Sequence, residues 1–281
     1  MMQYVKLVIE ISEIHQESLI AELFEMDFTG FEQRGGQIIT YIEEKKYNHS
    51  QKKRIEQLLA TYPQEGFIES EEIIADRNWN RQWEQTLKAQ TIGKFFVKPT
   101  WSREKCPNNK ILLEIDPKMS FGTGYHETTR LMLEALPSIV TNGDHVIDAG
   151  TGTGILAIAA VKLGVSRVFS FDVSEWSVNN ARENILLNDV ADAVTVKPGS
   201  TEEIPDNCSA DVLLANIERN VILSMVPDFK KVLKPEGQLL LSGLLQKDLD
   251  VICDRLGDDF EVTDIAQKNE WISIHANRIV L

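Results

Sequence analysis

The segment Asp148-Ala-Gly150-Thr-Gly152-Thr-Gly154 carries the densest chemical signal in this 281-residue chain. Glycines at alternate positions let a backbone turn tightly and approach a ligand closely. The spacing is Gly-x-Gly-x-Gly. It is neither the Gly-x-Gly-x-x-Gly of dinucleotide sites nor a phosphate loop, which needs Gly-Lys-Ser/Thr. About one strand–helix–strand step downstream stands Asp172, where a carboxylate can accept both hydroxyl hydrogens of a ribose. The alternative is a plain tight turn with a capping Asp. Asn216 offers an amide that both donates and accepts. His126 has two readings, a general base or a structural histidine beside a glycine turn. Thr129 sets a hydroxyl just before a helical run, where N-capping is the alternative role.

Holding these residues requires a particular set of elements. Residues 146–149, 167–172, 194–197, 210–215 and 238–242 read as strands. Helical stretches at 155–163, 175–187, from 216 to about 233, and 244–256 separate or follow them. Residues 234–237 read as a turn, and 260–265 with 271–279 as a closing hairpin. Strands alternating with helices imply a largely parallel sheet covered on both faces. Ligands of such sheets sit at the carboxyl ends of the strands.

Residues 1–75 read differently, as a small βαββαβ unit of ferredoxin-like pattern. Its strands are expected at 4–11, 28–33, 37–42 and 66–74, with helices over 13–26 and after an N-cap at Ser50. That fold hosts many jobs and assigns none by itself. Residues 76–110 read as a linker with a helix, in which Trp79 and Trp83 share one face and pack. The α/β domain is expected over 111–281.

Asp-x-Gly-x-Gly-x-Gly followed by a strand-end Asp is the pattern of the S-adenosylmethionine fold. Three further segments extend it: Ile115-Asp-Pro117 with Phe121-Gly-Thr-Gly-Tyr-His126-Glu-Thr-Thr129-Arg130, then Asn216-Ile-Glu-Arg219, then Leu241-Ser-Gly243-Leu-Leu. With them the chain resembles, over nearly its whole length, the PrmA family, the bacterial methyltransferases of ribosomal protein L11. The resemblance departs at Glu127, where the family has Pro, at Thr151 and Thr153, where it has Cys or Ser, and at Glu218-Arg219, where it has small apolar residues.

The resemblance implies a Rossmann-like class I methyltransferase domain with a seven-stranded, mostly parallel sheet, behind a ferredoxin-like substrate-recognition domain. It implies S-adenosylmethionine as cofactor, with Thr129, Gly150, Asp172 and Asn216 as its contacts. It implies ribosomal protein L11 as protein substrate, modified on lysine side-chain or N-terminal amines. Asn216 would orient the amine. No other catalytic residue and no metal ligand is expected.

Composition narrows the alternatives. The chain has 43 acidic and 29 basic residues, a net charge of −14. Nucleic-acid binders need clustered Lys and Arg, so no direct nucleic-acid partner is expected. No run approaches the ~20 apolar residues of a membrane span, and no secretory signal is legible, so a cytoplasmic protein is expected. Three scattered cysteines make neither a disulfide framework nor a zinc site. Residues 1–75 hold 14 acidic against 7 basic side chains, half of the whole excess. Such a surface serves solubility or greets a basic partner. Competing functions are methylation of another protein or small amine, NAD-dependent oxidoreduction, and binding without turnover.

Overall fold

The computed structural model describes residues 3–24, 26–62, 66–75, 87–118, 120–205 and 208–279. The expected linker helix with Trp79 and Trp83 lies outside the described residues. The chain divides into two compact units, 1–79 and 80–281.

In the first unit the elements are β1 (Gln3–Glu10), α1 (Glu13–Phe24), β2 (Thr29–Arg34), β3 (Gln37–Glu43), α2 (His49–Leu59) and β4 (Phe67–Ala75). The sheet order is β2-β3-β1-β4, with every pair antiparallel. This is the ferredoxin-like arrangement. Val5, Leu7 and Ile9 alternate inward along β1, as a strand's two-residue period requires. They meet Leu19 and Leu23 of α1 and Ile55 and Leu59 of α2. Ile14 and Phe24, at the ends of α1, face solvent. The N-cap of α2 is Asn48, not Ser50: its side-chain oxygen accepts the Gln51 amide hydrogen at 3.0 Å.

Among the described residues of the second unit, the first elements form a three-stranded sheet of β5 (Gln90–Ile92), β6 (Phe95–Lys98) and β7 (Ile111–Glu114). Two of its strands fall in the stretch read as linker. Phe95 and Val97 are buried in the same cluster as Ile155 and Leu156, so burial, not chain order, decides where these residues belong.

Seven strands build the main sheet: β8 (His145–Ala149), β9 (Arg167–Asp172), β10 (Val194–Pro198), β11 (Ala210–Asn216), β12 (Leu233–Leu245), β13 (Phe260–Lys268) and β14 (Trp271–Arg278). The order is β10-β9-β8-β11-β12-β14-β13. The first five strands in that order run parallel, and β14 is antiparallel to both neighbours. Residues expected as a turn at 234–237 are instead part of β12, where they form an irregularity in its pairing with β11: Leu233 pairs with Ala210 and Gln238 with Val212.

Five helices cover the sheet: α3 (Glu127–Ile139), α4 (Ile155–Lys162), α5 (Glu175–Leu187), α6 (Arg219–Val232) and α7 (Leu249–Leu256). Neighbouring residues sort them onto two faces. Val146 joins the core with α4 and Val178 of α5, while Ile147 joins the core with Phe229 of α6 and Ile252 of α7. Helix α7 starts later than expected, because β12 runs on through Leu245.

This is the Rossmann-like architecture expected of the second domain. The chain leaves β8 toward β9 and β10, and later returns to β11 on the other side. At such a reversal the connections part and leave a crevice beyond the strand ends. Among the described residues, no helix is long and apolar enough to cross a membrane.

Candidate functional site

The crevice is a cavity of about 510 Å³, with Gly150, Asp172, Asn216 and Gly243 on its wall. Gly150, Asp172 and Asn216 stand at or just beyond the carboxyl ends of β8, β9 and β11, and Gly243 lies in β12 one residue past its last pair with β11. Four segments far apart in sequence thus meet where the sheet order reverses.

The glycine loop takes its shape from positive φ angles, +71° at Gly150, +55° at Gly152 and +83° at Gly154. A Cβ on Gly152 would lie 2.3 Å from the Phe121 carbonyl oxygen, so no larger residue fits. Gly150 and Thr151 amides both donate to the Phe171 carbonyl, at 2.9 and 3.0 Å. The loop is also tied to the segment before α3. Thr153 donates its amide to Phe121 O at 2.9 Å and its hydroxyl to Gly122 O at 2.6 Å.

Asp172 closes the far side. One carboxylate oxygen accepts the Gly152 amide and the other the Ser174 amide, both at 2.9 Å. A carboxylate has about four acceptor sites, so about two remain for a vicinal diol. Asp148 lies behind the loop, 1% exposed, and accepts the Thr151 hydroxyl at 2.6 Å. Burial pushes its carboxyl up to about 6; the Thr151 hydrogen bond opposes the rise and the negative charge of Asp172 adds to it.

Asn216 faces the cavity from the end of β11. Its Nδ2 donates to the Thr129 hydroxyl at 3.4 Å, while its Oδ1 is buried without a hydrogen-bond partner. An orphaned amide oxygen is costly unless a ligand donor completes it. Thr129 is itself fully buried and stands behind Asn216; Thr128 lines the cavity instead. Thr129 does not cap α3. His126 does, its Nδ1 accepting the Thr128 amide at 3.3 Å. The His126 ring sits edge-on between Phe121 and Trp271, at 5.2 and 4.7 Å. The imidazole is thereby built into the wall, in keeping with the structural reading.

Gly150, Asp172 and Asn216 therefore share one cavity, and Thr129 reaches it through Asn216. The residue pattern missed a supporting row along α5 and its C-cap: Asn180, Asn184 and the capping Asn188, each buried. Asn184 accepts the Asp116 amide and donates to Thr153 O, both at 2.9 Å. Asn188 accepts the Glu114 amide at 3.0 Å and donates back to its carbonyl at 2.7 Å. Asparagine at every fourth position of a helix was the legible signal. Phe121, Ser177, Glu218 and Trp271 on the cavity wall were also not singled out as site residues.

The profile of the family described as ribosomal protein L11 methyltransferase (PrmA) matches residues 4–279. The chain belongs to this family. A ribosomal protein L11 methyltransferase of Syntrophomonas wolfei is 36% identical over 207 residues, 73% of this chain and 67% of the relative. One of Caldanaerobacter subterraneus is 37% identical over 202 residues, 72% of this chain and 65% of the relative. The matches thus span about two thirds of these relatives' length. The solved structure of a ribosomal protein L11 methylase from Lactobacillus delbrueckii subsp. bulgaricus is 27% identical, with a TM-score of 0.64. It covers 69% of this chain and all of that one. The class I methyltransferase fold of this family uses S-adenosylmethionine as cofactor.

Proposed function

We propose that the chain transfers methyl groups from S-adenosylmethionine to amines of ribosomal protein L11, on lysine side chains or the N-terminus. The observation that carries the proposal is the buried, unpartnered Oδ1 of Asn216 in the same cavity as Asp172. One end suits a ribose and the other presents an acceptor to an N–H donor.

The residues present fit the cofactor. Asp172 would take the ribose hydroxyls, the Gly150 turn would lie against the methionine portion, and Thr129 would act by holding Asn216. When bound, the cofactor supplies a methyl group on a sulfonium, a leaving group that departs neutral. What remains for the protein is alignment and exclusion of water.

A lysine ammonium has a reference pKa near ~10.4 and no lone pair to attack with. Removal from water favours the neutral amine. Phe121, Ile217, Val221, Met225 and Trp271 give the cavity largely apolar walls for that step. Asn216 Oδ1 would then accept one amine hydrogen and so aim the nitrogen lone pair. The first unit, acidic in balance, would hold the protein substrate as a recognition domain, with the following stretch as linker. The cytoplasm is where a ribosomal protein would be met.

The test is incubation of the chain with labelled S-adenosylmethionine and ribosomal proteins, followed by mass spectrometry. Label on amines of L11 is expected. Label confined to other proteins, or to oxygen or ring nitrogen, overturns the proposal.

A further inference from the structure

Among the described residues, Asp172 and Glu218 are the two carboxylates on the cavity wall. Their surroundings differ. Both Asp172 oxygens are held by backbone amides. Glu218 receives a single bond on Oε1, from the neutral Asn220 amide at 3.2 Å. It occupies the N-cap position of α6, but its side chain makes no capping hydrogen bond. So the usual work of an acidic residue at a helix start, satisfying a free N–H, does not explain it.

The neighbouring cation does not neutralise it either. Arg219 pairs through Nη1 with the buried Asp248 at 2.9 Å, and its other bonds go to Asn220 Oδ1 at 3.1 and 3.2 Å. Asp248 is fixed in turn by the Leu245 amide at 2.9 Å. The guanidinium is drawn away, and no ion pair to Glu218 occurs among the described residues. Glu218 is exposed, two residues beyond Asn216, on the wall of an otherwise mostly apolar cavity.

We infer that Glu218 is a specificity-determining residue that draws a protonated primary amine to Asn216 and disfavours neutral amide and hydroxyl groups. This rests on the amine-methylating reading above. The carboxylate acts in capture, not in transfer. A negative charge beside an ammonium favours its protonated form, which opposes the proton loss that attack requires. Capture and turnover therefore respond to Glu218 in opposite directions.

The experiment compares the full chain with Glu218→Gln and Glu218→Lys in steady-state methylation of L11. Exposed ion pairs change affinity by up to about fivefold. Glu218→Gln should raise KM for L11 by about three- to fivefold, and Glu218→Lys by more. In neither should kcat fall in proportion, a split that simple structural damage would not give. The rise of KM with salt should be shallower in Glu218→Gln, since screening then has one charge fewer to act on. The cofactor also carries a positive charge, so calorimetry on each chain compares S-adenosylmethionine with S-adenosylhomocysteine. Equal loss or no loss for the two supports the inference. A loss confined to the sulfonium form assigns Glu218 to the cofactor and overturns it. Methylation of L11 with the same KM by all three chains also overturns it, leaving the parent reading intact. If the unaltered chain does not methylate L11, the parent reading fails and this one with it.

Discussion

Replacing Asp172 by alanine removes the two acceptor sites that its backbone partners leave free for a ribose diol. Hydrogen bonds to a charged group are worth about 1.5–3 kcal/mol each. The two share one carboxylate in a half-buried setting, so a combined loss of about 2–3 kcal/mol is expected. At about 1.4 kcal/mol per decade, affinity for S-adenosylmethionine should fall roughly 30- to 150-fold. The substitution also frees the Gly152 and Ser174 amides, now held at 2.9 Å, and the glycine loop should loosen. Asp172→Asn keeps one acceptor oxygen and sets an NH2 against a backbone donor, so it should fall between alanine and the native residue. The assay is calorimetric titration with S-adenosylmethionine, with melting curves to establish that each variant is folded. A folded alanine variant that binds within about threefold of the native chain refutes the ribose role. Preferential binding of NAD by the native chain refutes the cofactor assignment altogether.

Gly152→Val should abolish cofactor binding and lower the melting temperature, since its Cβ would meet the Phe121 carbonyl at 2.3 Å and φ is +55°; normal binding would place the cradle elsewhere. Asp148, pushed up to about 6 by burial, holds its proton more tightly in the folded than in the unfolded state. Its unfolded value is near ~3.9, so stability is greatest below that and falls, by up to about 3 kcal/mol, as pH rises through 6. Asp148→Asn should therefore melt higher than the native chain above pH 6 and lose that advantage near pH 4; a difference that ignores pH refutes this. A chain beginning at Asp76 should fold and bind S-adenosylmethionine, because every cavity residue is retained, yet methylate L11 far more slowly through loss of tethering. Equal rates for short and full chains would return the acidic balance of residues 1–75 to a role in solubility.

Much of the site was legible because its demands are local. A backbone at φ of +71°, +55° and +83° favours glycine, so the loop announced itself in one short stretch. Asp172 and Asn216 were legible as polar residues closing apolar strands. Thr129 was legible only as a hydroxyl before a helical run; its partner Asn216 is 87 residues away and no local pattern joins them. Its capping alternative failed for a local reason: the imidazole of His126, three residues earlier, already receives the Thr128 amide. Strands β5 and β6 were read as linker because three or four residues on either side of Gly93 carry too little periodicity to declare a strand. Their burial comes from distant residues of α3 and α4.

The asparagines of α5 show what the hidden part contributes. On a helical wheel they look like an ordinary polar face, yet they are buried because β7 and the chain after it bring backbone groups that need partners. Asn184 binds both Asp116 and the Thr153 carbonyl, and Thr153 in turn binds Phe121 and Gly122. One side chain thus fixes the segment before α3 and the glycine loop in a single register. Phe121 and Gly152, from opposite sides of that tie, both line the cavity. These ties hold two parts of the wall together, and a transfer that depends on aligning three atoms gains from walls held in place. Loss of the Asn184 amide should therefore tell on cofactor affinity, though it touches no part of the cavity itself.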